Sequence, residues 1–393
     1  MLKIADTKEE LEACFRLLHD AYVTSGFQKP DPSGMRATIY HALPTTTTLC
    51  AKYEGEVVGT MSLIRESAFG FPMQSVFDLR EVRAKGGKIA EVSALAVHPK
   101  YRRTGGAILF PLMKFMYEYC TTFFDTRHLV IAVNPNRIEM YESLLFFQRL
   151  SETKIDNYDF VNGAPAVGAS LDLQVAPEMF KQIYGRRKQK KNLHSYFTEI
   201  TLPNIVVPNR RYFTTNDPVM TPDLLDHFFN QKTKVFEHLD DRKKVLLRSI
   251  YETPAYADVM PKVDSAALHH HPLRQHQRYA LKCPGSILFQ EGHSARSSEF
   301  ELMEVSKLGF QASCSTDLPL NTWCNVIVQL GQAERSQLRA MVVRESVNGV
   351  KGWYAFKLAE PDLSWRKLVN ALQSGQTHED LQHATAFTPV ELV

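Results

Sequence analysis

Glu91-Val-Ser-Ala-Leu-Ala-Val-His-Pro-Lys-Tyr-Arg-Arg-Thr-Gly-Gly-Ala107 is the stretch from which the fold can be read. Its apolar run Val92 to Val97 has the length of a buried strand and stops at His98-Pro99, because proline cannot continue a ladder. A basic, glycine-containing loop follows. Gly106 then opens a segment with Ile108, Leu109, Leu112, Met113 and Met116 at helical spacing. Strand, loop and helix in that order gather unpaired backbone N–H groups at a helix N-terminus, which suits a phosphate. Alone, a Gly-Gly loop beside arginines is equally an ordinary turn; the flanking strand and helix favour the phosphate reading.

Working outward, Thr7-Lys-Glu-Glu10 is a capping-box pattern followed by Leu11, Phe15, Leu18 and Tyr22 at helical spacing, so a first helix is expected there. Residues 26–48 are irregular. Thr48 to Lys52 and Val57 to Ile64 flank Glu54-Gly55-Glu56 and predict a hairpin. The excursion from Arg65 to Lys88 is long for a compact domain and is expected to cover a substrate. Helix 106–119 precedes a strand at Leu129 to Val133, and Asn134-Pro135 opens another helix that carries Tyr141.

Arg102-Arg-Thr-Gly-Gly-Ala107 resembles the Arg/Gln-x-x-Gly-x-Gly/Ala signature of the GCN5-related N-acetyltransferase superfamily, and Asn134 and Tyr141 have the seven-residue spacing found in its later helix. The resemblance implies a loop that clasps the phosphate of a pantetheine-bearing acyl donor, with Val97, Arg102, Arg103, Gly105, Gly106, Ala107 and Asn134 around the phosphopantetheine. It also implies Glu91 as a carboxylate base, Tyr141 as the acid that protonates the leaving thiolate, and backbone N–H groups around Ala96 to His98 that polarise the thioester. Glu91 could equally be solvated or ion-paired, and Tyr141 could simply pack on the sheet. His98 is a rival base, or merely the start of a turn. Leu145 stands where the family has glycine in Tyr-x-x-x-Gly-Phe, so the pantetheine wall is expected to differ.

Within the superfamily three features look like the N-acyl amino acid synthases, relatives of acyl-homoserine-lactone synthases. They are the insert Phe71-Pro-Met-Gln-Ser-Val-Phe77 through Arg83, the Asn134-Pro135 helix ending Leu-Leu-Phe-Phe147, and Val161-Asn-Gly-Ala-Pro-Ala-Val167 ahead of the strand Ala169 to Leu173. This implies transfer of a long acyl chain from acyl carrier protein, or from acyl-CoA, to the amine of an amino acid. An acetyl-CoA-dependent enzyme and a decayed, non-catalytic transferase fold are the alternatives.

Residues 176–265 read as an extension. Gly185-Arg-Arg-Lys-Gln-Lys-Lys191 carries five positive charges, fit to steer acidic acyl carrier protein, or else a solvated loop or peripheral contact with an anionic membrane. A strand is expected over Tyr196 to Val207. Thr221-Pro222-Asp223 starts a helix whose apolar face holds Leu225, Phe228, Phe229, Phe236 and Leu239, continued by Val245, Leu246 and Ile250 on a second helix. These faces would line an acyl-chain tunnel or form ordinary core.

Pro254 to His271, with His269-His270-His271, reads as a linker rather than a metal site, because adjacent histidines cannot all face one ion. Short strand patterns then recur at Ala280 to Phe289, Phe300 to Met303, Trp323 to Leu330, Leu338 to Arg344 and Trp353 to Leu358, with a closing helix near Leu363 to Leu372. They predict a small β-barrel. Arg274-Gln-His-Gln-Arg278 and Glu304-Val-Ser-Lys-Leu-Gly309 resemble the two signatures of PilZ domains, which implies a cyclic di-GMP site at Arg274, Arg278, Glu304, Ser306 and Gly309. Glu304 departs from the family's Asp or Asn.

The expected fold is therefore α+β. An acetyltransferase-type mixed sheet spans 1–175, a helical extension 176–265, a PilZ-like barrel 270–375 and a tail 376–393. A formal net charge of +3 with 23% charged residues creates no global field for nucleic acid or membrane, and no nucleic-acid partner is expected. Six cysteines without CxxC pairing suggest a reducing compartment and no zinc. With no apolar leader pattern at its start and no membrane-length apolar run, the chain reads as a soluble cytoplasmic protein.

Overall fold

The computed structural model describes residues 1–67, 69–124, 126–207, 220–251, 254–263, 278–291, 294–331, 333–345 and 352–373. Arg274, the histidine triplet and the tail from 376 lie outside the described residues. The chain divides into two compact units, Met1–Val207 with Asp223–Leu239, and Pro208–Pro222 with Asp240–Val393.

The first unit is built on a mixed sheet. Its strands are β1 (Leu2–Ile4), β2 (Thr46–Tyr53), β3 (Glu56–Arg65), β4 (Lys88–Val97), β5 (Thr126–Val133), β6 (Gln148–Arg149), β7 (Ile155–Tyr158) and β8 (Ala164–Asp172). They run in the order β1-β2-β3-β4-β5-β8-β6, with β7 also paired to β8. Only the β4–β5 pairing is parallel among the described ladders. The expected hairpin is β2–β3, turned at Glu54 and Gly55, both at positive φ.

Helix α1 (Lys8–Thr24) starts as its cap predicts, with the Thr7 hydroxyl accepting the Glu10 N–H at 3.3 Å. Glu10 does not complete the box. Its carboxylate accepts from Lys3 at 2.9 Å and Lys52 at 2.7 Å, fastening the helix to β1 and β2.

The two sheet faces are covered differently. On one lies α3 (Leu109–Phe123), whose approach requires Gly59, since a Cβ there would sit 2.6 Å from Ile108 Cγ2. On the other lies the 65–88 excursion, with a 3-10 turn at Pro72–Ser75 and the short α2 (Arg80–Ala84). Its Phe71, Met73, Phe77, Leu79 and Val82 are buried against Ile64, Ile89 and Val130. At about 1.5–3 kcal/mol for each large apolar side chain buried, the excursion is part of the core.

The strand expected over Tyr196 to Val207 is absent; α6 (Leu193–Thr198) stands there, after α4 (Pro135–Leu145) and α5 (Ala176–Tyr184). Two interactions, one local and one tertiary, win over the apolar alternation. Asn192 accepts the Ser195 N–H at 3.0 Å and starts a helix, and the buried Lys114 ammonium, paired with Glu118 at 2.7 Å, donates to the Phe197 carbonyl at 3.2 Å. Only Ile205 bridges to Leu2 in strand fashion. Further on, α7 (Pro222–Leu225) begins at Pro222 and continues into a π-helical turn, Asp226–Lys232.

The second unit holds α8 (Asp241–Ile250), capped by Asp240, and a closed barrel. The barrel strands are β9 (Arg278–Glu291), β10 (Ser294–Ser306), β11 (Gly309–Ser313), β12 (Trp323–Gln329), β13 (Arg335–Glu345) and β14 (Trp353–Leu358), closed in the order β10-β11-β14-β13-β12-β9. Phe310 stacks on Phe356 at 4.3 Å in its core. Helix α9 (Leu363–Gln373) adds Trp365, fully buried, whose indole N–H donates to the Ser306 carbonyl at 3.1 Å. The α+β class and the small barrel are thus as expected.

Gly168 on β8 tests how firmly the excursion is seated, because a Cβ there would lie 2.7 Å from the Phe77 ring. Gly168→Ala is expected to destabilise the first unit by about 1–3 kcal/mol through overpacking, read as a lower urea midpoint. An unchanged midpoint would mean that Phe77 swings aside freely.

Candidate active site

β4 and β5 are hydrogen-bonded only from Lys88 to Glu91 against Thr126 to Val130. Beyond the Glu91–Val130 pair they part, and a cavity of about 840 Å³ opens between them within the first unit. Its walls come from both faces of the sheet. Met61, Leu129 and Ile131 join Met113 and Met116 of α3, while Ser93 and Ala166 join Tyr22 and Tyr158 on the opposite side.

A bulge shapes the β4 wall. Ser62 pairs with Ser93 and Thr60 with Ala96, so Ala94 and Leu95 together stand opposite Met61, one residue more than β3 supplies, and Ala94 takes φ 52°. Left-handed backbone in a residue with a side chain costs roughly 1–3 kcal/mol and persists where neighbours over-determine it. Of the N–H groups expected to polarise a thioester around Ala96 to His98, that of His98 donates to the Val58 carbonyl at 2.9 Å, while the bulge displaces the backbone of Ala94 and Leu95 just before them. His98 itself is exposed and accepts the Lys100 N–H, as a turn residue does.

The glycine loop leaves β4 as expected. Arg102 donates to the Val97 carbonyl at 2.8 Å, which folds the guanidinium back along the strand end. Arg103, Gly105 and Gly106 all take positive φ, and a Cβ on Gly106 would sit 2.4 Å from Phe110 Cδ2. Among the described residues the N–H groups of Arg103, Thr104, Gly105 and Gly106 have no acceptor, so the loop presents donors ahead of α3. That is a phosphate cradle in form. Val97, Arg102, Asn134 and Tyr141 line the cavity, whereas Arg103, Gly105, Gly106 and Ala107 do not.

Asn134 caps α4 by accepting the Asn136 N–H at 3.0 Å. One helical stretch later Tyr141 packs edge-on against Phe147 at 5.7 Å and lines the cavity, and burial pushes its phenol up to about 12. Leu145, in place of the family glycine, is buried as the last helical residue, and Phe146 at φ 60° takes the left-handed turn instead.

Glu91 is 2% exposed and does not line the cavity. It lies where the strands part, beneath the excursion, and accepts the Met73 N–H at 3.1 Å. Burial outweighs that hydrogen bond and pushes its carboxyl up to about 8. Burial first, and the Glu91 charge second, raise the phenols of Tyr22, Tyr40 and Tyr158.

Sequence reasoning missed Tyr158, whose buried hydroxyl has no hydrogen-bond partner among the described residues although its side chain lines the cavity. It also read Tyr22 only as a helix residue; Tyr22 stands at the end of α1 with the Arg36 guanidinium 4.2 Å over its ring, a tertiary contact that helical spacing does not signal. Of the two readings of the 222–239 apolar face, ordinary core holds: Phe228, Phe229 and Phe236 are buried, with Phe228 against Phe15 at 5.2 Å, while the cavity is lined by Phe180 of α5 and Phe197 of α6.

Residues 13–172 match the family model of N-acyl amino acid synthase FeeM. The matched stretch contains β4, the glycine loop, β5 and α4, and over it the chain is similar to an acyl-transferring enzyme. Solved structures that match include FeeM, an N-acyl amino acid synthase from uncultured soil microbes, at 26% identity over 45% of this chain and 93% of that one, with a TM-score of 0.38. The CoA-dependent acyl-homoserine lactone synthase BjaI, with SAM and isopentyl-CoA, matches at 19% over 53% and 94%, TM-score 0.37. The AHL synthase LasI matches at 16% over 45% and 93%, TM-score 0.34. No curated protein matches the chain.

The raised Glu91 carboxyl predicts a pH signature. Between its unfolded value near 4.5 and about 8 the folded protein keeps a proton that the unfolded chain releases, so this residue's contribution to stability falls as pH rises through that window. Glu91→Gln is expected to flatten the slope of unfolding free energy against pH there by about 1.4 kcal/mol per pH unit. Urea titrations at several pH values check it; parallel curves for the two proteins would place Glu91 in water.

Proposed function

We propose that the first unit is an N-acyltransferase that moves a long fatty acyl chain from acyl carrier protein, or from acyl-CoA, to the amine of an amino acid or related small molecule. The observation that carries the reading is one apolar cavity of about 840 Å³ with Tyr141 on its wall and Arg102 of the N–H-rich loop at its edge. An acetyl group would leave most of such a cavity unused. Met113, Met116, Leu129, Ile131 and Phe180 offer an alkyl chain an apolar wall, worth about 0.8 kcal/mol per buried CH₂.

In this mechanism the donor's phosphopantetheine lies along Val97 and Arg102 to Ala107, with Asn134 nearby, and its thioester reaches the bulge. The amine nitrogen attacks the thioester carbonyl carbon, the C–S bond breaks as the tetrahedral intermediate collapses, and an amide and a free thiol result. Glu91 takes the ammonium proton. Its carboxyl, pushed up to about 8, is basic enough for that near neutral pH, and Tyr22 and Tyr158, which line the cavity, stand close enough to feel its charge. Tyr141, kept protonated by burial, gives its proton to the thiolate.

We further propose that the barrel binds cyclic di-GMP at Arg274, Arg278, Glu304, Ser306 and Gly309 and regulates the transfer. In support, Arg278 pairs with Glu304 at 2.9 Å, and the Ser306 hydroxyl donates to the Gly309 carbonyl at 3.0 Å, which fixes the turn beside that arginine. An arginine fork suits both phosphate and guanine edges.

Lipid extracts of bacterial cells expressing the wild type should contain an N-acyl amine that Glu91→Ala cells lack, by mass spectrometry. The same product from both proteins removes Glu91 from its role; none from either, with purified protein also inert toward acyl carrier protein and acyl-CoA donors, sinks the transferase reading. With purified protein, Tyr141→Phe is expected to lower kcat roughly 10²-fold or more. Calorimetry should show cyclic di-GMP binding that Arg278→Ala abolishes, and unchanged turnover at saturating nucleotide would refute the regulatory part.

A further inference from the structure

Helix α5 carries two apolar ridges. Ala176, Phe180 and Tyr184, four residues apart, are buried, and Ala176 and Phe180 line the cavity. Val175, Met179 and Ile183 repeat the same spacing one residue earlier; Met179 is half-buried, while Val175 is 49% and Ile183 51% exposed. Leu144 at the end of α4, also exposed, is brought to this end of α5 by the Tyr184 hydroxyl, which donates to its carbonyl at 3.0 Å.

The outer ridge runs directly into Arg186, Arg187, Lys188, Lys190 and Lys191, all exposed, none in an ion pair among the described residues. Arg187 folds back over the Tyr184 ring at 4.8 Å, so the segment begins against the helix end. The partial negative charge of a helix C-terminus accounts for a cation or two in the last turn, not for five. Solvation alone does not explain why aliphatic side chains share the surface.

We propose that the outer ridge of α5, with Leu144 and the cations of 186–191, docks on an anionic lipid bilayer. Aliphatic groups that enter the acyl boundary beside cations that meet lipid phosphates are what an interfacial helix needs. An acidic protein partner would also meet the charges, and the acyl-carrier-protein arm of the test below separates it from a bilayer. The same helix has its inner ridge in the cavity, so a long-chain amide made there leaves next to the membrane that dissolves it. That consequence rests on the proposed transfer; the docking does not.

The test floats the full-length protein with vesicles of phosphatidylcholine alone, or with roughly a third phosphatidylglycerol, across a salt series. Wild type is expected to rise with the anionic vesicles only, less so as salt screens the cations. Replacing Arg186, Lys188, Lys190 and Lys191 together by Gln should weaken binding at least about tenfold. Val175→Ser with Ile183→Ser should weaken it severalfold while keeping the salt dependence, and unaltered thermal unfolding shows both variants folded. No flotation of the wild type, or equal flotation of both variants, overturns the proposal. So does a wild type that ignores vesicles while the Gln variant loses turnover with acyl carrier protein but not with acyl-CoA, which assigns the cations to an acidic protein. Vesicle binding by a protein inert toward every acyl donor would leave the docking intact and remove only the transfer.

Discussion

Everything that distinguishes the first unit follows from the parting of β4 and β5 after the Glu91–Val130 pair. A sheet gains its cohesion from continuous ladders, and a break in mid-sheet leaves strand-edge N–H and C=O groups that must find other partners. The strands that flank the break are held on both faces. On one α3 packs close over Gly59 of β3; on the other the 65–88 excursion packs Phe77 against Gly168 of β8. The Ala94 bulge turns the β4 edge within the gap, and Arg102 ties off its end at Val97. The polar edges therefore face a cavity whose remaining wall is apolar, an arrangement that suits a ligand with amides along part of its length and alkyl along the rest.

The same break explains why Glu91 is buried. It is the last β4 residue with a partner on β5, and the excursion that covers its face supplies one backbone donor, Met73 N–H. A carboxylate in that position lacks the two or three donors that would hold it ionised, so it is pushed up to about 8. Such a group is costly as an anion, and the transfer proposed above uses that same property as its basicity near neutrality. Burying five apolar side chains of the excursion offsets that cost within the same core.

Local sequence carried the parts governed by local chemistry. Thr7, Asn134 and Pro222 set helix starts, the glycines at 105 and 106 set the loop, and alternating apolar residues set the barrel strands. What escaped is tertiary. Ala94 gives no sign that it will take a positive φ, because nothing but the bulged register asks it to. Periodicity likewise tells that Phe180 and Phe228 are inward-facing without telling that one meets a cavity and the other Phe15. Tyr196 to Val207 alternates like a strand, and only the Asn192 cap and the distant Lys114 ammonium decide otherwise.

Glu304 shows how a departure from a family pattern can be read physically. The side chain is one methylene longer than the Asp of the pattern, and β10 shifts register between Leu302 and Glu304, where a bulge gives the strand room to re-aim it. The carboxylate then reaches Arg278 at 2.9 Å, with both side chains about a third exposed. An ion pair that wet contributes no more than about 1 kcal/mol. For the proposed nucleotide site this means that a dianionic ligand competes against a weak internal partner. The longer side chain holds the arginine in place beside the turn made by Ser306 and Gly309.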